Sequence, residues 1–356
     1  MKVKLGELTK IRTGKLDANA ASEDGTYPFF TCSKEPLRIS TYSYNCECVL
    51  VAGNGDLNAK YYNGKFDAYQ RSYIIESNGD GRLHLPYLYH FMTRYIQELR
   101  KLSIGGVIKY IKLGNLTDAE ISLPSVKEQK DACEKLKKIK NIIDKKEAQI
   151  SYLDNLIKAR FVEMFDDNFG EIVELGNVGD VRDGTHDSPK YHNEGYPLVT
   201  SKNICDGKID FSTCNLIQKE DYAKINKRSK VDVGDVLMPM IGTVGNPIIV
   251  NTDKEFAIKN VALIKFKDDS VILNTFIKTL LESDYFGRAV LSKTKGGTQK
   301  FISLGDIRKL EFNLPPIELQ HRFATFVAQV DKSKFALVKS IKLLKKSPFD
   351  ILLGLL

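Results

Sequence analysis

At 356 residues the chain is long for a single core and predicts two domains. Its 42% hydrophobic content excludes a disordered chain, and with no apolar run of about eighteen residues and no signal-peptide core the protein is expected in the cytoplasm, off the membrane. A net charge of +8 favours an anionic partner without naming one, and six cysteines with no CxxC pair argue for buried thiols against a metal or disulfide framework.

In chain order, the first stretch consists of short, aromatic- and β-branched-rich runs such as Tyr73-Ile74-Ile75, broken by Gly, Asn and Asp, which read as strands and turns. An amphipathic helix follows over Leu85 to Leu102, with Leu85, Leu88, Met92, Ile96 and Leu99 on one face. Gly105-Gly106 reads as a tight turn; neither it nor Gly296-Gly297 fits the phosphate-cradling pattern of a P-loop. After Pro124 a long charged helix begins, free of Pro and Gly from Val126 to Phe165. The same grammar then recurs: strands such as Val261-Ala262-Leu263-Ile264, a helix from Asn274 to Leu291, a Gly-Gly turn, Pro315, and a second long helix ending before Pro348.

The recurrence is an internal repeat. Ile104 to Leu116 is echoed by Lys295 to Ile307, Leu123-Pro124 by Leu314-Pro315, and Gln129 by Gln320, all at an offset of 191. Earlier landmarks pair at smaller offsets: Val3-Lys4-Leu5-Gly6 with Val173-Glu174-Leu175-Gly176, Tyr27-Pro28 with Tyr196-Pro197, Val49-Leu50 with Val236-Leu237, and Ala68 with Ala257. The drift places roughly twenty extra residues in the second copy, mostly between Pro197 and Val236.

The long helices set the expected architecture. Ala132, Leu136, Ile139, Ile143, Ile150, Leu153, Ile157 and Met164 recur at spacings of three and four, with Lys146 and Arg160 interrupting; the second helix offers Leu319, Phe323, Phe326, Val330, Leu337 and Leu344. That is a coiled-coil seam. A helix of about 38 residues reaches roughly 57 Å, more than one small domain is wide. An antiparallel pairing lets the chain place the second β-rich head without a connection running back along the helices. The expectation is an α+β dumbbell of two pseudo-symmetric β-rich heads, residues 1–124 and 169–315, separated by a pair of long antiparallel helices, 125–168 and 316–356.

Two similar heads on a spacer suit duplex DNA, whose phosphates and base edges present two separated features to a basic protein. The repeat order, the Gly-Gly-x-x-Lys-(Tyr/Phe)-Ile-x-Leu-Gly loop before each long helix, the Leu-Pro-(Ser/Pro)-(Val/Ile)-x-x-Gln helix starts and the run Arg182-Asp183-Gly184-Thr185-His186-Asp187-Ser188-Pro189-Lys190 together resemble the specificity subunits of type I restriction–modification systems. The resemblance spans Val3 to about Lys346. It implies that each head is a target recognition domain reading one half of a bipartite site. It also implies that the helices measure the unread spacer and dock two methylation subunits, and that restriction subunits join to cleave. S-adenosylmethionine, ATP and magnesium are then used by those partners, and this chain is no enzyme.

Side chains expected at DNA are donors in loops. In the second head these are Arg182, Thr185, His186, Ser188 and Lys190, then Ser201, Lys202 and Asn203, with Lys259-Asn260, Lys293, Lys295 and Gln299 as a second polar set. In the first head they are Arg12, Lys15, Lys34, Asn54, Lys60, Gln70, Arg71 and Lys109. Its tyrosines (Tyr42, Tyr44, Tyr61, Tyr62, Tyr69, Tyr73) read as sheet core before base-stacking platforms. Asn313-Leu314-Pro315-Pro316 has the wrong order for a methyltransferase loop, Asp166-Asp167 sits at a helix end, and the five histidines are scattered. The alternative reading is a coiled-coil adaptor whose heads bind proteins or glycans.

Overall fold

The structure, a computed structural model, describes residues 2–165, 170–205, 207–241, 245–266, 271–289 and 302–346. The chain divides into two compact units: Met1–Ala148 together with the segment from Leu337 onward, and Gln149–Ala336. Each long helix, Val126–Phe165 and Ile317–Lys346, therefore contributes one part to each unit.

The first unit holds a six-stranded sheet in the order Thr9–Thr13, Ser72–Ser77, Tyr44–Ala52, Ala59–Ala68, Tyr27–Phe30, Leu37–Ile39. Neighbours are antiparallel except Tyr27–Phe30 beside Ala59–Ala68, which run parallel with Phe29 opposite Asp67. Both sheet faces are apolar, and the residues alternate as a two-residue period requires. Val49, Val51 and Ile75 face the helix Leu85–Leu102, while Leu50, Phe66 and Ile74 form a separate cluster with Phe30 and Tyr44. Leu85, Leu88, Met92, Ile96 and Leu99 are all buried, as their spacing predicted. Pro86 sits in that helix's first turn, where a missing N–H costs nothing.

The second unit repeats this plan. A four-stranded sheet runs Gly179–Asp183, Val261–Phe266, Val236–Pro239, Ile248–Ile249, and a three-stranded one runs Asn215–Ile217, Tyr196–Val199, Ala257–Ile258. The duplication reaches single residue pairs. Arg12 lies opposite Ile74 and Arg182 opposite Leu263; Val49 opposite Ile75 and Val236 opposite Ile264; Val3 opposite Ile121 and Val173 opposite Phe312. The extra residues of the second copy include the helix Lys219–Ser229, inserted between Tyr196–Val199 and Val236–Pro239.

Two expectations need correction. The parallel strand pairs Phe29 with Asp67 and Leu198 with Ala257, so the structural counterpart of Ala257 is Asp67, one residue before Ala68. A shared alanine misled the alignment; backbone pairing decides it. The helix expected from Asn274 to Leu291 breaks into Asn274–Leu281 and Asp284–Ala289. Ser283 causes the break, its hydroxyl donating to Leu280 O at 2.6 Å while accepting the Phe286 amide at 3.4 Å. A serine that bonds local backbone in this way ends one helix and starts another.

The seam residues line one stripe of each long helix. In the first unit Leu136, Ile143 and Ile341 are buried, Ile139, Leu337 and Leu344 half-buried, and Lys345 reaches Glu147 at 3.0 Å. In the second unit Ile150, Leu153, Ile157 and Phe326 are half-buried and Phe161, Met164, Phe323 and Val330 buried. There Phe161 meets Phe323 edge to face (ring centroids 5.5 Å) and Lys334 pairs with Asp154 at 2.5 Å. Numbering rises along one helix as it falls along the other, so the pairing is antiparallel. Arg160, one of the expected interruptions, lies over the Phe326 ring at 5.9 Å, so its cation is used in the seam. Phe161, Phe165, Phe276, Phe312 and Phe323 form a ring cluster that ties both helices to the second head.

Each head is fastened to its long helix by one fully buried glutamine. Gln129 Nε2 donates to Arg82 O and Pro124 O while Oε1 accepts the His84 amide. Gln320 does the same with Val271 O, Pro315 O and the Leu273 amide. His84 and Leu273 are the N-cap residues of the Leu85–Leu102 and Asn274–Leu281 helices.

Candidate nucleic-acid interface

In the second head the candidate site begins at a glycine. A Cβ on Gly184 would stand 2.0 Å from Ile258 O, so only glycine lets the end of strand Gly179–Asp183 cross this backbone. The crossing brings Thr185 alongside Lys259, with Thr185 N donating to Ile258 O at 3.0 Å and Asn260 N to Thr185 O at 3.2 Å. Asn260 has φ +53°, the left-handed conformation that asparagine tolerates, and this aims its amide at His186.

The side chains there form one network. Asp183 is buried, and its carboxylate accepts from His186 Nε2 at 2.7 Å and from Arg228. His186 Nδ1 meets Asn260 Oδ1 at 2.7 Å. Both ring nitrogens thus face oxygen acceptors, an arrangement that suits the doubly protonated imidazolium. The Asn260 hydrogen bond first, then that to Asp183, raises the His186 pKa above the ordinary histidine value. Lys259 Nζ donates to Ser188 Oγ at 2.5 Å, and Arg182 grips Asp180 and donates to Arg228 O at 2.8 Å. A cleft of about 300 Å³ opens beside them, lined by Thr185, Asp187, Ser188, Lys224 and Arg228 among others. The arrangement offers donors and cations on a loop pinned to the Ile258–Asn260 backbone, and the network among these residues contains no nucleophile–base pair.

The sequence had set Lys259-Asn260 apart from the Arg182 to Lys190 run; the structure joins them. Lys190 and Lys202 are exposed and Ser201 half-buried. Asn203 is buried, its Oδ1 accepting the Thr200 amide and hydroxyl and its Nδ2 donating to Thr213 Oγ1, so its polar atoms are spent tying its own turn to the turn at Phe211–Thr213. Lys293, Lys295 and Gln299 lie outside the described residues. Arg228 was missed, because a basic residue on a charged helix carries no signal that it will meet a buried aspartate.

In the first head the structure gathers Lys34, Asn54, Lys60, Arg71 and Lys109 around the turn after strand Tyr44–Ala52, while Lys15 N donates to Ala68 O and Gln70 N to Leu16 O beside Gly14. Gly53 N donates to Arg71 O, Gly55 N to Lys109 O, and Lys34 lies 3.8 Å from Asp56. Lys60 donates to Asn58 Oδ1, and burial lowers its pKa from the usual lysine value. Arg12 stands apart on the sheet, paired with Glu76 at 2.7 Å and over the Tyr44 ring at 4.8 Å. Gly14 repeats the crossing of Gly184: its Cβ would stand 2.2 Å from Ala68 O. Of the tyrosines, Tyr44 is core and Tyr73 half-buried, but Tyr42 and Tyr61 are exposed. Among the described residues no cluster of His, Cys, Asp or Glu is arranged to hold a metal, and no helix is long and apolar enough to cross a membrane.

This duplicated, loop-bearing α+β plan defines a two-copy recognition chain, and comparison with known proteins says of which kind. The model of the type I restriction modification DNA specificity domain matches residues 1–152 and 170–345. The chain belongs to that family.

Over 156 residues it is 40% identical to the type I restriction enzyme EcoDI specificity subunit of Escherichia coli, a match covering 44% of this chain and 34% of that one. It is 24% identical over 334 residues to the EcoBI specificity subunit of the same organism, covering 83% and 68%. In fold it is similar to the crystal structure of a type I restriction–modification S subunit from M. genitalium, with a TM-score of 0.56 at 14% identity, covering 100% of this chain and 95% of that one. It is also similar to a chain from a structure of type I system assembly and conformational transition, with a TM-score of 0.61 at 18% identity, covering 99% and 96%. The expected family and the expected repeat fold are borne out, and the adaptor alternative finds no support.

Proposed function

We propose that this chain directs a type I restriction–modification complex to a bipartite site in double-stranded DNA, each head reading one half. The carrying observation is the residue-level duplication: two heads with matched strand register and the same glycine crossing, each presenting basic, donor-rich loops. His186, Ser188, Lys190, Lys259 and Arg228 in the second head and Lys34, Lys60, Arg71 and Lys109 in the first are the groups assigned to DNA, the lysines to phosphate and the loop donors to base edges.

The antiparallel helices then set the unread spacer and offer their outer faces to two methylation subunits, with restriction subunits joining that core. S-adenosylmethionine, ATP and magnesium belong to these partners, the chain itself catalyses no step, and the complex works in the cytoplasm on cellular and incoming DNA. The test is to map methylated motifs in DNA from cells carrying this chain with its cognate subunits. A two-part motif with a fixed gap is expected; no motif, or one uninterrupted motif, overturns the reading.

A further inference from the structure

The first head carries a feature that phosphate and base-edge contacts leave unused. After the helix Leu85–Leu102 the chain makes a turn tied at its neck by reciprocal hydrogen bonds between Ile104 and Tyr110, at 3.0 and 2.9 Å. Its base is sewn to the neighbouring turn, Ile111 N donating to Gly53 O at 2.9 Å and Gly55 N to Lys109 O at 3.0 Å. Gly105, with φ +113° and its Cβ position 2.6 Å from Ile108 O, fixes the tight path. At the tip stand Val107, fully exposed, and Ile108, 62% exposed. Two branched apolar side chains presented to water on a pinned turn cost free energy unless something covers them.

The surrounding charge says what kind of partner covers them. Of the cations around the turn, Arg100 pairs with Asp56 at 2.8 Å and Lys101 with Glu98 at 2.7 Å, while Lys109 and Lys112 are exposed on either side of the neck and match a polyanion. A two-residue tip is far too small to anchor a protein interface, which needs roughly 800 Å² on each side. It has the size of a base step, into which apolar wedges insert when basic side chains hold the flanking phosphates.

We propose that Val107 and Ile108 form a wedge that enters a base step of the half-site read by the first head and locally unstacks it. The inference rests on the DNA-reading assignment above. It is restricted to the first head because the repeat partner of Val107-Ile108 is Thr298-Gln299, a polar pair.

The test uses the chain assembled with its methylation subunits on the mapped duplex. 2-Aminopurine is placed in turn at each position of both half-sites except the methylated base. The expected result is a several-fold fluorescence rise at one step of one half-site. In V107T/I108Q, which copies the second head's residues, that rise disappears and affinity falls about tenfold, while the methylated motif and the salt dependence of binding stay as they were. A duplex bound with no enhanced step in that half-site, or an enhancement that survives the substitution, overturns the wedge and leaves the reading of DNA intact. A failure of DNA reading shows differently, as salt-independent binding or absence of any motif in the unsubstituted complex. Retention of the second half-site by V107T/I108Q shows that the variant is folded.

Discussion

Gln129 accepts the backbone amide of His84 at 2.8 Å, and its own amide donates to Arg82 O and Pro124 O, so one side chain binds the start of the Leu85–Leu102 helix to the start of the first long helix. Gln320 repeats this bond for bond on Leu273, Val271 and Pro315. Removing either leaves three backbone groups unpaired in a dry site. Gln320→Leu is expected to cost about 3 kcal/mol or more, read from denaturant unfolding, with faster hydrogen exchange at Leu273. A cost below about 1 kcal/mol would show that water or relaxed backbone takes over these bonds.

The aromatic cluster of the second unit makes a packing prediction. Phe323 is fully buried, with Phe161 and Phe165 rings at 5.5 and 5.4 Å. Phe323→Ala should destabilise by about 3–5 kcal/mol, as large-to-small changes in a filled core do. Phe335, also on that helix but exposed, should tolerate alanine within about 0.5 kcal/mol.

The glycine crossings predict a split phenotype. Alanine at Gly184 meets Ile258 O and must displace the loop carrying Thr185 and His186. Gly184→Ala should abolish reading of one half-site and spare the other; Gly14→Ala, meeting Ala68 O, should do the reverse. Motif mapping checks both, and loss of the same half-site in the two variants would contradict the assignment of one half to each head.

His186 predicts a pH dependence. Its folded-state pKa is raised, by the Asn260 hydrogen bond first and by Asp183 next. The stability this contributes is fully present below the ordinary histidine value near 6.5 and is lost as pH rises through the raised value. The stability gap between the wild type and His186→Gln should therefore shrink with rising pH. In Asn260→Ala and Asp183→Asn the His186 ring resonances should titrate at lower pH than in the wild type; unchanged titration would refute the network.

The helices predict a ruler. Two extra helical turns inserted into both Val126–Phe165 and Ile317–Lys346 should lengthen the unread gap in the methylated motif and change neither half. An unchanged gap would assign the spacing to another part of the complex.

Which parts of the fold are legible in the sequence follows from which forces act locally. The repeat, the Leu85–Leu102 helix and the seam are periodic patterns, and periodicity is visible in one dimension. The break at Ser283 was not, because a serine hydroxyl turning back on its own helix looks the same in sequence as a solvated one. Phe161 went unlisted in the seam since Arg160 beside it broke the pattern, yet Phe161 is the more deeply buried. In the candidate site Thr185, His186 and Ser188 were legible as a donor-rich run. Their union with Lys259 and Asn260 depends on one parallel backbone pairing across about seventy residues, which no local rule encodes.

The division of the long helices between units has a consequence for synthesis. Unit Gln149–Ala336 is one continuous stretch, whereas the other needs both the first 148 residues and the chain from Leu337 onward. On the ribosome the first head can close its core, which lies within Val3 to Ile121, but the part of the first long helix in that unit waits for the turns that bring Lys345 to Glu147 across a separation of 198 residues. The second unit can complete within its own continuous stretch, so the last thing finished is the packing of that helix segment in the first unit.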